Sequence, residues 1–335
     1  MSRKNVLVTG GAGYIGSHMV RTLLEAKYTP VVFDNLSTGH RHFVPKGVAF
    51  FKGDLRNRED VRRALKKYPI DTVMDFAASI VVPESVQNPL KYYENNVLSS
   101  INLLNGVVEG GIERFIFSST AAVYGEPKVV PVREDAQTLP ANPYGGSKLM
   151  VEEILKNSAA AYPLRYVSLR YFNVAGSHPS AEIGIDYETV THLIPSILKV
   201  ATGERKEFQI FGDDHATKDG TCIRDFIYVL DLCDAHLRAL EYLRRGGKSN
   251  VFNLGNGNGF SVKQVLDAAE KVTGIRIAVK VAPRRAGDPA KVVASSDKAK
   301  KILKWKPKAD LALIIETAWK WEQAQARRGK TGKKS

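Results

Sequence analysis

A chain of 335 residues, 44% of them hydrophobic, has room for one large domain or two ordinary ones, and no apolar run in it is long enough to span a bilayer. The net charge of +14 would suit a nucleic-acid binder, but the excess is scattered (Arg56, Arg58, Arg62, Arg63, Lys66, Lys67, Lys298, Lys300, Lys301) or gathered in the tail (Arg327, Arg328, Lys330, Lys333, Lys334), with no helix-turn-helix, zinc-finger or interleaved aromatic–basic pattern. Cys222 and Cys233 have no His or Cys partner at ligand spacing, so neither a metal site nor a disulfide framework is expected.

Met1-Ser2-Arg3-Lys4 leads straight into an apolar strand, Asn5 to Thr9, with no visible secretory signal; a cytoplasmic protein is expected. The strand runs into Thr9-Gly10-Gly11-Ala12-Gly13-Tyr14-Ile15-Gly16, which opens a helix over Tyr14 to Ala26. Gly10, Gly13 and Gly16 recur every third position, where missing side chains allow a tight turn, close approach of a diphosphate and close helix–strand packing. The helix N-terminus offers free N–H groups to phosphate. The next strand, Pro30 to Asp34, ends on an acid that can accept from a ribose hydroxyl. Strand, glycine loop, helix and acid in this order predict dinucleotide binding.

Further strands are predicted at Val48 to Lys52, Thr72 to Phe76, Arg114 to Ser118 and Tyr166 to Arg170. Helical patterns lie between them at Arg58 to Lys67, Pro89 to Glu109 and Tyr144 to Ala160. This alternation implies an α/β fold: a doubly wound parallel sheet of the Rossmann type, binding ligands outside the carboxyl ends of its strands. Beyond about Ala175, Pro and Gly punctuate shorter elements. Helices are expected at Thr191 to Ala201, Asp231 to Arg244, Ser261 to Thr273 (capped by Ser261) and Leu311 to Gln323. Strands are expected at Phe208 to Phe211, Ile223 to Val229 and Val251 to Leu254. This half reads as a smaller C-terminal α/β lobe that binds substrate. The boundaries are 1–175, with 225–254 returning, for the dinucleotide domain; 176–224 and 255–325 for the lobe; and 326–335 for a basic, solvated tail.

Tyr144 and Lys148 stand four apart after the helix-start signal Asn142-Pro143, so they share a helix face. A nearby ammonium favours the phenolate, which makes Tyr144 a candidate base with a lowered pKa. Thr120, closing Phe117-Ser118-Ser119-Thr120, can share a proton with it.

The glycine loop, the Ser-Ser-Thr strand end and the Tyr-x-x-x-Lys helix, in this order, resemble the extended short-chain dehydrogenase/reductases. Within that family the likeness is to members that invert carbon 4 of a UDP-hexose, and it covers about Lys4 to Trp321. Supporting runs are Asp34-Asn35-Leu36-Ser37, Pro83-Glu84-Ser85-Val86, Tyr92-Tyr93-Glu94-Asn95-Asn96, Leu169-Arg170-Tyr171-Phe172-Asn173, Asp219-Gly220-Thr221-Cys222-Ile223-Arg224-Asp225 and Ala282-Pro283-Arg284-Arg285-Ala286-Gly287-Asp288. The resemblance implies tightly held NAD, a UDP-sugar substrate, a 4-keto intermediate and a homodimer through the helices Pro89 to Glu109 and Tyr144 to Ala160; no metal, nucleic-acid or membrane partner is expected. It implies that Tyr144 is the base, Lys148 the residue on the nicotinamide ribose, and Thr120 the catalytic hydroxyl. The implied cofactor contacts are Gly10, Gly13, Tyr14, Ile15, Gly16, Asp34, Asn35, Asp54, Leu55, Ala77, Ala78, Asn95 and Tyr171, with Tyr144 and Lys148. The implied nucleotide-sugar contacts are Asn173, His192, Leu193, Phe211, Arg224, Arg285, Asp288 and Val292, with Thr120. Guanidinium forks at Arg224 and Arg285 suit a diphosphate.

Some positions depart from common family residues. Thr120 stands where many members have Ser, Ile80 where some have Lys, and His192 where some have an amide. Val292 bounds the sugar pocket by resemblance, and its small side chain leaves room for an N-acetyl group. A 4,6-dehydratase needs an acid and a base after the Thr, whereas this chain has Ala121 and Ala122. A UDP-glucuronate epimerase or decarboxylase, and a non-catalytic NAD-binding regulator, stay open as alternatives.

Overall fold

The computed structural model describes residues 4–187, 192–285 and 289–331, with side chains to 328. In chain order the strands are β1 (Asn5–Thr9), β2 (Thr29–Asp34), β3 (Ala49–Lys52), β4 (Thr72–Asp75), β5 (Arg114–Thr120), β6 (Arg165–Tyr171) and β7 (Asn173–Ala175). There follow β8 (Phe208–Phe211), β9 (Ile223–Arg224), β10 (Phe226–Tyr228), β11 (Asn250–Leu254), β12 (Phe260–Ser261), β13 (Val279–Ala282) and β14 (Lys291–Val292). The helices are α1 (Tyr14–Glu25), α2 (Arg58–Lys67), α3 (Val82–Gln87), α4 (Pro89–Tyr92), α5 (Ser99–Glu109) and α6 (Pro143–Ala161). Then come α7 (Leu193–Ala201), α8 (Val229–Arg244), α9 (Val262–Thr273), α10 (Asp297–Ile302) and α11 (Leu311–Thr331).

Seven strands pair in the order β11-β6-β5-β4-β1-β2-β3, every pair parallel. The order reverses between β1 and β4, and a ligand crevice opens at such a switch point. Both faces of the sheet are buried, as parallel strands require. Val6 and Val8 of β1 pack with Met19 and Leu23 of α1 and Leu240 of α8. Leu7, on the other face, joins Val61 of α2, Leu103 of α5, and Val151 and Leu155 of α6. A separate core of Ile194, Ile197, Phe208, Val265, Ile314 and Ile315 holds the lobe. Each such fully buried side chain is worth about 1.5–3 kcal/mol.

Three elements differ from the sequence expectation. The strand expected over Ile223 to Val229 is two, β9 and β10, in different sheets. The break is Asp225, whose buried carboxylate accepts from the N–H groups of Asn256 (2.7 Å), Gly257 (2.9 Å) and Ala294 (3.0 Å). The helix expected over Pro89 to Glu109 contains a wide π turn, Tyr93–Leu98, between α4 and α5; such turns gather at functional sites. The last helix reaches Thr331, well into the segment expected to be a solvated tail, because Ala324, Gln325 and Ala326 are good helix formers. Among the described residues no helix is long and apolar enough to cross a membrane.

Candidate active site

The loop from β1 to α1 is shaped by glycine. Gly10 has φ +65°, and a Cβ there would lie 2.8 Å from the Ala77 nitrogen. A Cβ on Gly16 would lie 2.1 Å from the Gly10 oxygen. The cradle therefore closes only without side chains, and the N–H groups opening α1 face outward without helical partners. This is the geometry that a dinucleotide diphosphate fits. The Tyr14 hydroxyl donates to the Gly176 carbonyl at 2.6 Å, and the Tyr14 and Ile15 side chains pack into the lobe core.

Asp34 closes β2, its carboxylate accepting from the Ala12 nitrogen (2.9 Å) and the Leu36 nitrogen (2.8 Å). Burial pushes its pKa up while these two N–H groups pull it down; each oxygen keeps a lone pair for a ribose diol. Asn35 and Asp54 meet at 3.2 Å. Arg56 forks onto Asp54 at 3.0 and 2.6 Å and holds its carboxyl down to about 2. Leu55 is buried in the core with Phe33. Ala77 and Ala78 follow β4, the Ala77 nitrogen donating to Asp75 at 3.3 Å. Asn95 stands in the π turn.

Asn142 caps α6 by accepting from the Gly145 nitrogen at 2.9 Å, and Pro143 sits in the first turn. Tyr144 follows, its buried phenol beside the Thr120 side chain, which favours the phenolate. The Thr120 oxygen accepts from the Ala122 nitrogen at 3.1 Å, which leaves its hydroxyl hydrogen for the phenol. One expectation is corrected here. The Tyr144 pKa is raised, by burial, with Thr120 pulling the other way; Lys148 is not among the groups that shift it. The reason is where the ammonium goes. Lys148 Nζ donates to the Ser118 carbonyl at 2.8 Å and lies 4.7 Å from the Phe117 ring centre. Burial lowers its pKa to about 8, opposed by Asp75 and Glu152. Tyr171 pairs with Thr120 across β5 and β6, and burial raises its pKa, opposed by the nearby Ser118 side chain.

On the lobe side, Arg285 lies over the Phe211 ring, 3.8 Å from its centre. Arg224 stands in register with Val292, and its Nη1 donates to the Ile223 carbonyl at 2.8 Å. Asn173 donates through Nδ2 to the Asp225 carbonyl at 3.0 Å. His192 precedes Leu193 at the start of α7. Its ring stacks on Tyr187 at 5.9 Å, its Nδ1 is buried without a partner among the described residues, and burial lowers its pKa, so it is neutral at pH 7. Asp288 lies outside the described residues.

The NAD dependent epimerase/dehydratase family matches residues 6–255. The chain belongs to this family. Among curated relatives, the UDP-glucose 4-epimerase of Lacticaseibacillus casei is 50% identical over 319 residues, covering 95% of this chain and 96% of the relative. The UDP-glucose 4-epimerase of Bifidobacterium longum, solved with NAD+ and UDP, superposes with a TM-score of 0.91 at 38% identity, covering 96% of this chain and 98% of the other. A UDP-Glc/GlcNAc 4-epimerase of Campylobacter jejuni gives a TM-score of 0.85 at 46% identity, covering 96% and 99%.

The end of β5 and the helix of Tyr144 rest on residues to which the sequence patterns assign no role, though Asn96 and Arg170 stand in the runs quoted above. Asn96, buried in the π turn, exchanges hydrogen bonds with the Ser79 backbone (2.8 and 3.1 Å) and donates to Ser147 of α6 at 2.9 Å, tying the loop after β4 to the helix of Tyr144. Tyr187 is buried close enough to Tyr144 and Tyr171 that a phenolate charge on Tyr144 would raise its pKa and its own charge would raise that of Tyr171. Glu152 and Arg170 pair behind Ser119. Glu152 was legible: it continues the i, i+4 spacing of Tyr144 and Lys148 by one more step. Asn96 and Tyr187 had no such signal.

Proposed function

We propose that this chain interconverts UDP-glucose and UDP-galactose by inverting carbon 4 through a 4-keto sugar, with NAD held in the β1–α1 cradle. The observation that carries this reading is the buried Tyr144 phenol set beside the Thr120 side chain at the end of β5, at the crevice the glycine loop opens. When bound, NAD would supply the hydride acceptor, as NADH the hydride donor, and a positive charge that favours the phenolate. As a phenolate, favoured by the Thr120 hydroxyl and by the positive charge the bound cofactor would add, Tyr144 takes the proton of the sugar's 4-hydroxyl, becomes the phenol, and gives the proton back when the hydroxyl is rebuilt. Lys148 holds the nicotinamide ribose, and Asp34 the adenosine ribose. Arg224 and Arg285 clamp the diphosphate while the keto sugar turns, so the binding energy of the remote nucleotide retains the intermediate. Residues 1–175 with 225–254 carry the dinucleotide, 176–224 and 255–325 the nucleotide sugar.

The test is to mix the purified protein with UDP-galactose, without added NAD, and separate the UDP-sugars by chromatography. UDP-glucose is expected; no conversion by protein that releases NAD on denaturation overturns the reading in favour of a regulator. A second substrate pair is favoured by Val292, a small residue in register with Arg224. UDP-N-acetylgalactosamine should then also turn over, and a rate below one hundredth of that for UDP-galactose rejects it. We also assign a homodimer through α5 and α6. Leu98, Ile101 and Met150 line one apolar hollow there and are 43%, 39% and 48% exposed. Light scattering at the monomer mass would refute that assignment.

A further inference from the structure

A buried ion pair stands behind the strand end that carries Thr120. Tyr144, Lys148 and Glu152 fall at i, i+4 and i+8 on α6, one continuous face. Arg170 Nε lies 3.0 and 3.1 Å from the two Glu152 oxygens, and a second Arg170 nitrogen lies 2.5 Å from one of them. Ser119 donates its hydroxyl to the same carboxylate. The Arg170 and Glu152 side chains are only 8% and 5% exposed. A third Arg170 nitrogen donates to the Tyr124 hydroxyl at 2.9 Å, which donates to Asn253 of β11 at 2.7 Å. Tyr124 ends the short turn Ala121–Tyr124 that begins right after Thr120.

Thr120 is thus bracketed. The residue before it bonds to Glu152, and the turn after it is pinned by Arg170. A buried ion pair is a poor source of stability, because well-packed apolar residues serve as well or better, so its presence here points to placement. We propose that Glu152 and Arg170 are positioning residues, which hold Thr120 in register with the Tyr144 phenol through Ser119 and Tyr124 and keep the Lys148 ammonium at the strand end. The proposal rests on the roles given above to Tyr144, Thr120 and Lys148.

The groups around Lys148 make the idea testable. Asp75 at the end of β4 and Glu152 on α6 favour its ammonium. The Ser118 carbonyl and the Phe117 ring of β5 are neutral, and His236 of α8, near the Ser118 hydroxyl at 3.4 Å, is held neutral by burial, its pKa lowered to about 4. Removing the Glu152 charge therefore lowers the Lys148 pKa further, and the ammonium is lost at a lower pH.

The experiment measures kcat, KM and bound NAD across pH for the holoenzyme and its Glu152→Gln, Ser119→Ala and Tyr144→Phe variants. Glu152→Gln should lose about tenfold in kcat with KM within about twofold, and the alkaline limb of its kcat profile should move down by about one pH unit. An unchanged profile, or an equal loss at every pH with NAD released, overturns the proposal. If Glu152→Gln does not fold, Ser119→Ala decides: a kcat loss of about threefold or more at unchanged KM supports it, and unchanged kcat overturns it. Tyr144→Phe separates the two layers. If it keeps near-normal turnover, the reading of the site fails, whatever Glu152→Gln does.

Discussion

On the dinucleotide side of the cleft the polar groups are already engaged by the chain itself. Asp34 is held by two backbone N–H groups, Asp54 by Arg56 and Asn35, and Lys148 by the Ser118 carbonyl. Among the described residues, two groups on the proposed sugar side are less committed: the buried His192 Nδ1 has no partner there, and Arg285 lies on the Phe211 ring. The difference matches two kinds of ligand. A cofactor that stays through many turnovers is served by a rigid, preorganised cradle, and a substrate that enters and leaves is served by groups whose hydrogen bonding it completes.

The largest effect expected from breaking that contrast is at Gly16. Gly16→Ala puts a Cβ against the Gly10 carbonyl oxygen. It should cost about 1–3 kcal/mol of stability and abolish co-purification of NAD; spectroscopy of the denatured protein reads the cofactor, and full NAD occupancy would show that the cradle yields. The next concerns Lys148. Its folded pKa of about 8 lies below the ordinary 10.5, so the unfolded chain binds more protons between those values. The lysine therefore opposes folding fully below pH 8, and stability rises from there to about pH 10.5. Lys148→Met should remove that rise, and denaturant midpoints across the window check it. The smallest effect is on the sugar side. Arg285→Ala should raise KM for UDP-galactose about tenfold, or about 1.4 kcal/mol, while leaving bound NAD unchanged. Loss of NAD in that variant would erase the division between the two sides.

Local chemistry was readable from the sequence. The spacing of Gly10, Gly13 and Gly16 states its own steric reason, and β1, α2 and β8 begin and end where the patterns place them. What depended on distant partners was not readable. Asp225 breaks a strand because Asn256, Gly257 and Ala294 come to it from elsewhere in the chain. Tyr144 and Lys148 share a helix face, as their spacing implies, but spacing does not say where an ammonium at the end of four methylenes turns. The Ser118 carbonyl and the Asp75 charge decide that, and both belong to other strands.

Tyr14 is the first residue of the helix proposed to face the phosphates, and its hydroxyl is anchored on Gly176, at the proposed passage of the chain into the second lobe. A tug on either lobe reaches the other through one phenol ring. On the proposed assignment, the grip on the coenzyme and the seat of the sugar nucleotide form one lever, and loosening that anchor would let the two ligands be felt independently.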